Sequence, residues 1–255
     1  MSTYGRYSFL NAPPPLAIAH RGGAGDWPEN TMPAFQSAVD LGFQYVETDV
    51  HATRDGTLVA FHDESLDRVT DRTGLIRELT WAQVAEARVD GREAIPLLED
   101  LLGTFPLVRV NIDAKHDTAI EPLTEVIRRT NSLDRVCIGS FSDRRLRRIR
   151  TALGPRLCTS MGPLDVAKLK AVGFGVPFEM RVPCAQVPVR RGRLPIVDER
   201  FVRGAHRLGL QVHVWTIDDP AEMHHLLDLG VDGIMTDRPK ELRAVLEERG
   251  EWHGH

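Results

Sequence analysis

Cysteine is scarce in this chain: Cys137, Cys158 and Cys184 are the only three in 255 residues. An odd number at wide spacing, in mostly apolar surroundings, excludes a disulfide framework and matches no zinc-ligand spacing. The three read as buried free thiols of a reducing compartment, so a cytoplasmic location is expected. Long apolar runs are missing as well. No stretch reaches the roughly 20 residues that span a bilayer, and the N-terminal MSTYGRYSFLNAPPP lacks the basic start and apolar stretch of an export signal. Stable membrane insertion is therefore not expected. Excess positive charge is absent too. A net charge of −4 argues against a nucleic-acid binder, and the cluster Arg144, Arg145, Arg147, Arg148 and Arg150 reads as a solvated helix face.

The composition that remains, 42% hydrophobic and 27% charged, is that of a soluble globular protein. The length suits one large α/β barrel domain or two small domains. Chemistry-bearing residues concentrate between Leu16 and Asp63. Leu16-Ala17-Ile18-Ala19-His20 is a short apolar run that stops at Arg21-Gly22-Gly23, the pattern of a buried strand with a sharp turn after it. His20 and Arg21 thus sit at a strand's C-terminal end. Asn30 or Thr31 caps the following helix, Pro33 takes an early helical position and Gly42 ends it.

Tyr45-Val46-Glu47-Thr48-Asp49-Val50-His51 is β-rich. Period-2 alternation points Glu47 and Asp49 the same way, with Cα atoms about 6.5–7 Å apart. Two carboxylates on one buried face repel, and the usual relief is a shared proton or a divalent cation. Oxygen ligands of this kind suit Mg²⁺ or Ca²⁺ better than zinc. A turn at Arg54-Asp55-Gly56-Thr57 leads to Leu58-Val59-Ala60-Phe61, and His62-Asp63 puts a second histidine at a strand exit.

In this order, His20-Arg21, Glu47-Thr48-Asp49 and His62-Asp63 resemble the signature of the glycerophosphodiester phosphodiesterase family, and Pro28-Glu29-Asn30-Thr31 and Thr53-Arg54-Asp55-Gly56 extend the likeness. The resemblance implies a small-molecule glycerophosphodiester substrate and a divalent cation, Mg²⁺ or Ca²⁺. It implies that His20 and His62 are the general acid/base pair and that Glu47, Asp49 and Asp113 are metal ligands. Arg21 and Lys115 match phosphate-holding positions, and Trp215 matches an aromatic near the glycerol. One departure stands out: Ile112-Asp113-Ala114-Lys115 appears where many relatives have Glu-x-Lys. The carboxylate is one methylene shorter, which implies ligation through a water or weaker ligation.

Further along, residues 64–95 are polar and turn-rich and read as an insertion over one end of the domain, with Thr80 capping a short helix. Six more strands are expected, over 107–113, 135–140, 156–161, 185–188, 210–216 and 231–237, each followed by helical sequence; 190–194 is expected to be a loop. Strands and helices in alternation, with functional residues at strand exits, predict a (β/α)₈ TIM barrel over 16–249, with its site at the C-terminal face. Residues 1–15 form a lead-in ending in three prolines, and 250–255 a mobile tail. An open doubly wound sheet is the rival fold, weakened because GxGxxG is absent after the first strand. His51 and His213 are expected to be structural, Phe61, Phe141 and Met161 to be packing or pocket lining, and Gln186 is a further candidate. Lysophospholipase D or sphingomyelinase D-like cleavage, and a barrel that binds phosphoesters without turnover, are the functional rivals. A homodimer is left open.

Overall fold

A computed structural model of the chain describes residues 6–254. Eight parallel strands form the barrel: β1 (Leu16–Ala19), β2 (Tyr45–Ala52), β3 (Arg109–Ala114), β4 (Val136–Gly139), β5 (Cys158–Thr159), β6 (Cys184–Pro188), β7 (Gln211–Trp215) and β8 (Gly233–Thr236). They pair in the order β5-β4-β3-β2-β1-β8-β7-β6. A single parallel bridge, Ser160 to Cys184, joins the two ends and leaves a nearly closed barrel. A helix follows each strand: α1 (Met32–Asp40), α2 (Leu98–Thr104), α3 (Ile120–Arg129), α4 (Asp143–Leu153), α5 (Pro163–Gly173), α6 (Glu199–Arg207), α7 (Pro220–Asp228) and α8 (Pro239–Glu248). Side-chain caps start several of them. The hydroxyls of Thr31 and Ser142 and the carboxylates of Asp198 and Asp219 accept from backbone N–H groups of their first turns.

All eight residues of β2 are buried, because one set faces the barrel interior and the other lies under the helices. The strand Leu58–Ala60 is not one of the eight barrel strands; it folds back antiparallel on the end of β2, Val50 opposite Ala60 and Ala52 opposite Leu58. That return brings His62 back level with the barrel mouth, since the N–H of Phe61 donates to the carbonyl of Asp49. The stretch after it builds a small core of its own from Val59, Phe61, Leu66, Ile76, Val84, Ala87, Val89 and Ile95.

The opposite end is plugged. Tyr7, Phe9 and Leu10 are buried against Ile18, Tyr45, Met235 and all three cysteines, and the Tyr45 hydroxyl donates to the Phe9 carbonyl at 2.7 Å. The thiols, free and buried, come from the neighbouring strands β4, β5 and β6, which gathers their sulfurs within 4.8 Å of one another despite their wide sequence spacing. The C-terminal segment is packed where a mobile tail was expected. The Trp252 ring meets Phe43 at 5.2 Å, Arg243 stacks on it, and the carbonyl of His253 accepts from Gln44 at 2.9 Å. The physical reason is that Phe43, just after α1, is a large apolar ring against which Trp252 packs. His255 and residues 1–5 lie outside the described residues. Trp252→Ala is expected to cost about 2 kcal/mol, less than a fully buried aromatic, read as a lowered denaturant midpoint with unchanged kcat.

No helix among the described residues is long and apolar enough to cross a membrane.

Candidate active site

The mouth at the C-terminal ends of the strands collects every expected site residue. His20 and Arg21 follow β1 in a single tight turn whose backbone is left-handed at Arg21 (φ 52°), Gly22 (82°) and Gly23 (88°). Glycine at 22 is required on two counts, since a Cβ there would lie 2.9 Å from Ala34. The turn aims the Arg21 N–H at Glu47, donating to Oε2 at 3.1 Å. Left-handed backbone at a non-glycine residue costs on the order of 1 kcal/mol and persists only where the surroundings hold it.

Glu47 and Asp49 point inward together, as alternation requires, and both are buried. Asp49 is the hub. Its Oδ1 meets Lys115 Nζ at 2.7 Å, its Oδ2 accepts from Asn30 Nδ2 at 3.3 Å, and Arg21 Nε lies 3.3 Å away. Lys115 also donates to Asp113 Oδ2 at 2.8 Å, which puts Asp113 and Lys115 on one face. Burial would raise the Asp49 carboxyl, but Lys115 and Arg21 outweigh it and hold the group below the usual range. Glu47 has less help: burial and the neighbouring Asp49 push it up to about 8. Lys115 is raised, burial being outweighed by Asp113 and Asp49.

Both histidines are oriented by a carboxylate on Nδ1, His20 by Asp237 at 2.7 Å and His62 by Asp63 at 2.5 Å. His20 Nε2 then faces Glu47 Oε2 at 3.8 Å. Burial lowers the His20 pKa, but Glu47 and the bond to Asp237 reverse this and leave it raised. Arg68, from the insertion, clamps Asp63 through Nε at 2.5 Å and Glu29 through Nη2 at 2.6 Å, while Glu29 also accepts from Arg21. The Arg68 bond pulls Asp63 down to about 2, so it stays a carboxylate under His62 throughout the physiological range.

Asp237, Arg68 and Glu29 were given no role from the sequence. Asp237 had a signal, since it stands at the exit of the last strand like the others; Arg68 had none. His51 is structural as expected, with Nε2 bonded to the His62 carbonyl at 3.0 Å. His213 is fully buried inside the barrel and bonded to Gln211, and Gln186 joins the same interior layer through Asn111 at 2.9 Å. Trp215 ends β7 and meets the exposed Phe141 ring edge-on at 5.8 Å, forming an apolar wall across the mouth.

Asp237→Asn is expected to lower the His20 pKa, seen in an NMR titration of its imidazole. A raised histidine pKa contributes stability that is complete below the unfolded value of about 6.5 and fades as pH climbs through the folded one. The variant should therefore lose most stability at acid pH and little well above neutrality.

A profile of the glycerophosphoryl diester phosphodiesterase family matches residues 20–241. The chain belongs to this family. A relative from Mycobacterium tuberculosis, called probable glycerophosphodiester phosphodiesterase 2, is 46% identical over 94% of this chain and 93% of its own. A putative glycerophosphoryl diester phosphodiesterase from Silicibacter pomeroyi superposes with a TM-score of 0.81 at 24% identity, covering 96% of this chain and 98% of that one. An Oleispira antarctica phosphodiesterase, solved with the product sn-glycerol-3-phosphate, gives 0.78 at 24% identity over 92% and 97%. At that identity the superpositions show the barrel fold. The activity of this chain is that of a glycerophosphodiester phosphodiesterase, a phosphoric diester hydrolase.

The family is in general dependent on a divalent cation. Among the described residues, the only trio of potential ligand atoms gathered within 4.8 Å is that of the three thiols. The ammonium of Lys115 bridges Asp49 and Asp113. The donor set still fits a hard cation. Asp113 Oδ1 is buried without a hydrogen-bond partner, and Glu47 is a buried carboxyl that lacks a full counter-charge.

Proposed function

We propose that the chain hydrolyses glycerophosphodiesters to glycerol 3-phosphate and an alcohol, with His20 and His62 as its acid/base pair. The carrying observation is that each imidazole is fixed through Nδ1 by a carboxylate, which leaves each Nε2 for the substrate. One imidazole takes the proton of the attacking group, either water directly or the neighbouring substrate hydroxyl, which gives a cyclic phosphate that water then opens; the other protonates the leaving alkoxide. Each such transfer contributes about 10²- to 10⁴-fold. Arg21 and Lys115 offset the phosphate charge, and Trp215 with Phe141 flanks the glycerol. Glu47, Asp49 and Asp113 are the residues that would hold Mg²⁺ or Ca²⁺, which when bound neutralises charge developing on the phosphoryl oxygens. A single barrel domain over 16–249 carries this chemistry, and the three unpaired thiols support a cytoplasmic setting.

The test is release of glycerol 3-phosphate from glycerophosphocholine and glycerophosphoethanolamine by chelator-stripped protein, with each cation then restored. Release is expected only after restoration. Folded, cation-loaded protein that releases nothing would overturn the substrate assignment, and undiminished release by stripped protein would overturn the metal dependence.

A further inference from the structure

Three consecutive βα segments at the barrel mouth, after β4, β5 and β6, each expose a large apolar side chain: Phe141 at 67%, Leu164, in the first turn of α5, at 61% and Leu194 at 73%. Burial of such side chains is the default, and three on successive βα segments of one face make a sector rather than a scatter. The third loop, expected to be irregular, is a small antiparallel ribbon, Arg190–Arg191 against Leu194–Pro195, turned at Gly192 with φ 60°. Every residue from Arg190 to Pro195 is exposed. Its tip carries Arg190, Arg191 and Arg193, whose side chains enter no ion pair or hydrogen bond among the described residues. The nearby acids are engaged elsewhere: Asp198 with Lys170, Glu199 with Arg203, and Asp219 in capping α7.

Most other arginines of this protein, whose net charge is −4, are held in ion pairs or hydrogen bonds, so three free ones on one ribbon stand out. A ribbon that presents three free guanidinium groups around an exposed leucine, next to two more apolar side chains, is complementary to one kind of surface: phosphate-rich and negative outside, apolar just beneath. We propose that this sector of the mouth is a docking surface for an anionic phospholipid bilayer. Leu194 enters the headgroup boundary, the three arginines contact lipid phosphates, and Phe141 and Leu164 extend the apolar contact along the rim. Three basic residues and a few apolar side chains give weak, reversible attachment, far short of insertion. Because the sector borders the mouth, docking faces the active site towards the lipid. The polar insertion, with Arg68 and Asp63, occupies the other side of the entrance.

The experiment is co-sedimentation of the full chain with vesicles of phosphatidylcholine alone and of phosphatidylcholine with phosphatidylglycerol. Retention is expected on the anionic vesicles and should fall as salt is raised. The triple variant Arg190→Ser, Arg191→Ser, Arg193→Ser should weaken retention about 100-fold, at roughly fivefold per arginine. Leu194→Ser should weaken it about tenfold with no change of charge. Both variants should turn over soluble glycerophosphocholine as the parent chain does, which separates loss of docking from loss of folding or of the active site. Equal retention on the two vesicle types, or a triple variant retained like the parent, would overturn the proposal. A short oligonucleotide that competes the protein off the vesicles, together with an indifferent Leu194→Ser, would overturn it in favour of a general polyanion site.

Discussion

Alanine at His20 or at His62 is expected to lower kcat on glycerophosphocholine by about 10²- to 10⁴-fold while cation affinity stays within a few-fold of the parent. The two residues reach this from neighbouring strands, each with its own supporting carboxylate. His20 follows β1 and leans on Asp237 after β8, whereas His62 returns on the hairpin from β2 and leans on Asp63, which Arg68 clamps. If both work in one turnover, the double alanine variant should lose much less than the product of the two single losses, since a cycle missing one proton transfer gains little from the other. Cation affinity is the discriminating readout, because the ion would be held by Glu47, Asp49 and Asp113 and by neither imidazole. A fully active alanine variant of either histidine would remove that residue from the reaction. Loss of cation binding in the His20 variant would instead make it a ligand, a role its 3.8 Å approach to Glu47 keeps within reach.

Period-2 alternation and strand exits made much of this site legible in the sequence. Glu47 and Asp49 share a face because only one residue separates them on a buried strand, and Asp113 meets Lys115 for the same reason. Contacts that depend on returns of the chain were not legible. The antiparallel fold-back of Leu58–Ala60 is a matter of pairing partner, which an apolar run does not encode. The Arg68 clamp on Glu29 joins residues 39 apart through an insertion with no periodicity. The gathering of three thiols follows from barrel closure between β5 and β6, so their spacing along the chain carried no trace of it. The tail was misjudged from its polar, terminal character, although one large ring, Trp252, was enough to anchor it on Phe43.

Asp49→Asn is the second change with a large expected effect, and it acts on stability and turnover together. Asp49 is 2% exposed and carries the charge facing both Lys115 and Arg21. Breaking a buried ion pair typically costs about 3–5 kcal/mol. Lys115 retains Asp113 and Arg21 retains Glu29, so the lower end, about 3 kcal/mol, is expected from chemical denaturation at pH 7. The Asp49 carboxyl lies below its ordinary value, so its contribution is present above the unfolded pKa of about 3.9 and is lost as pH falls through the folded one. Parent and variant should therefore differ fully at neutral pH and converge in strong acid. Turnover should fall by about 10³-fold, because the carboxylate that positions Lys115 and Arg21, and that would hold the charge-offsetting cation, is lost. Glu47 supplies an independent check. Asp49 is, after burial, the main reason its pKa reaches about 8, so in the asparagine variant the Glu47 carboxyl should titrate at lower pH. A variant with parental stability and an unmoved Glu47 would mean that the two carboxylates do not share one field, and a common cation between them would lose its basis.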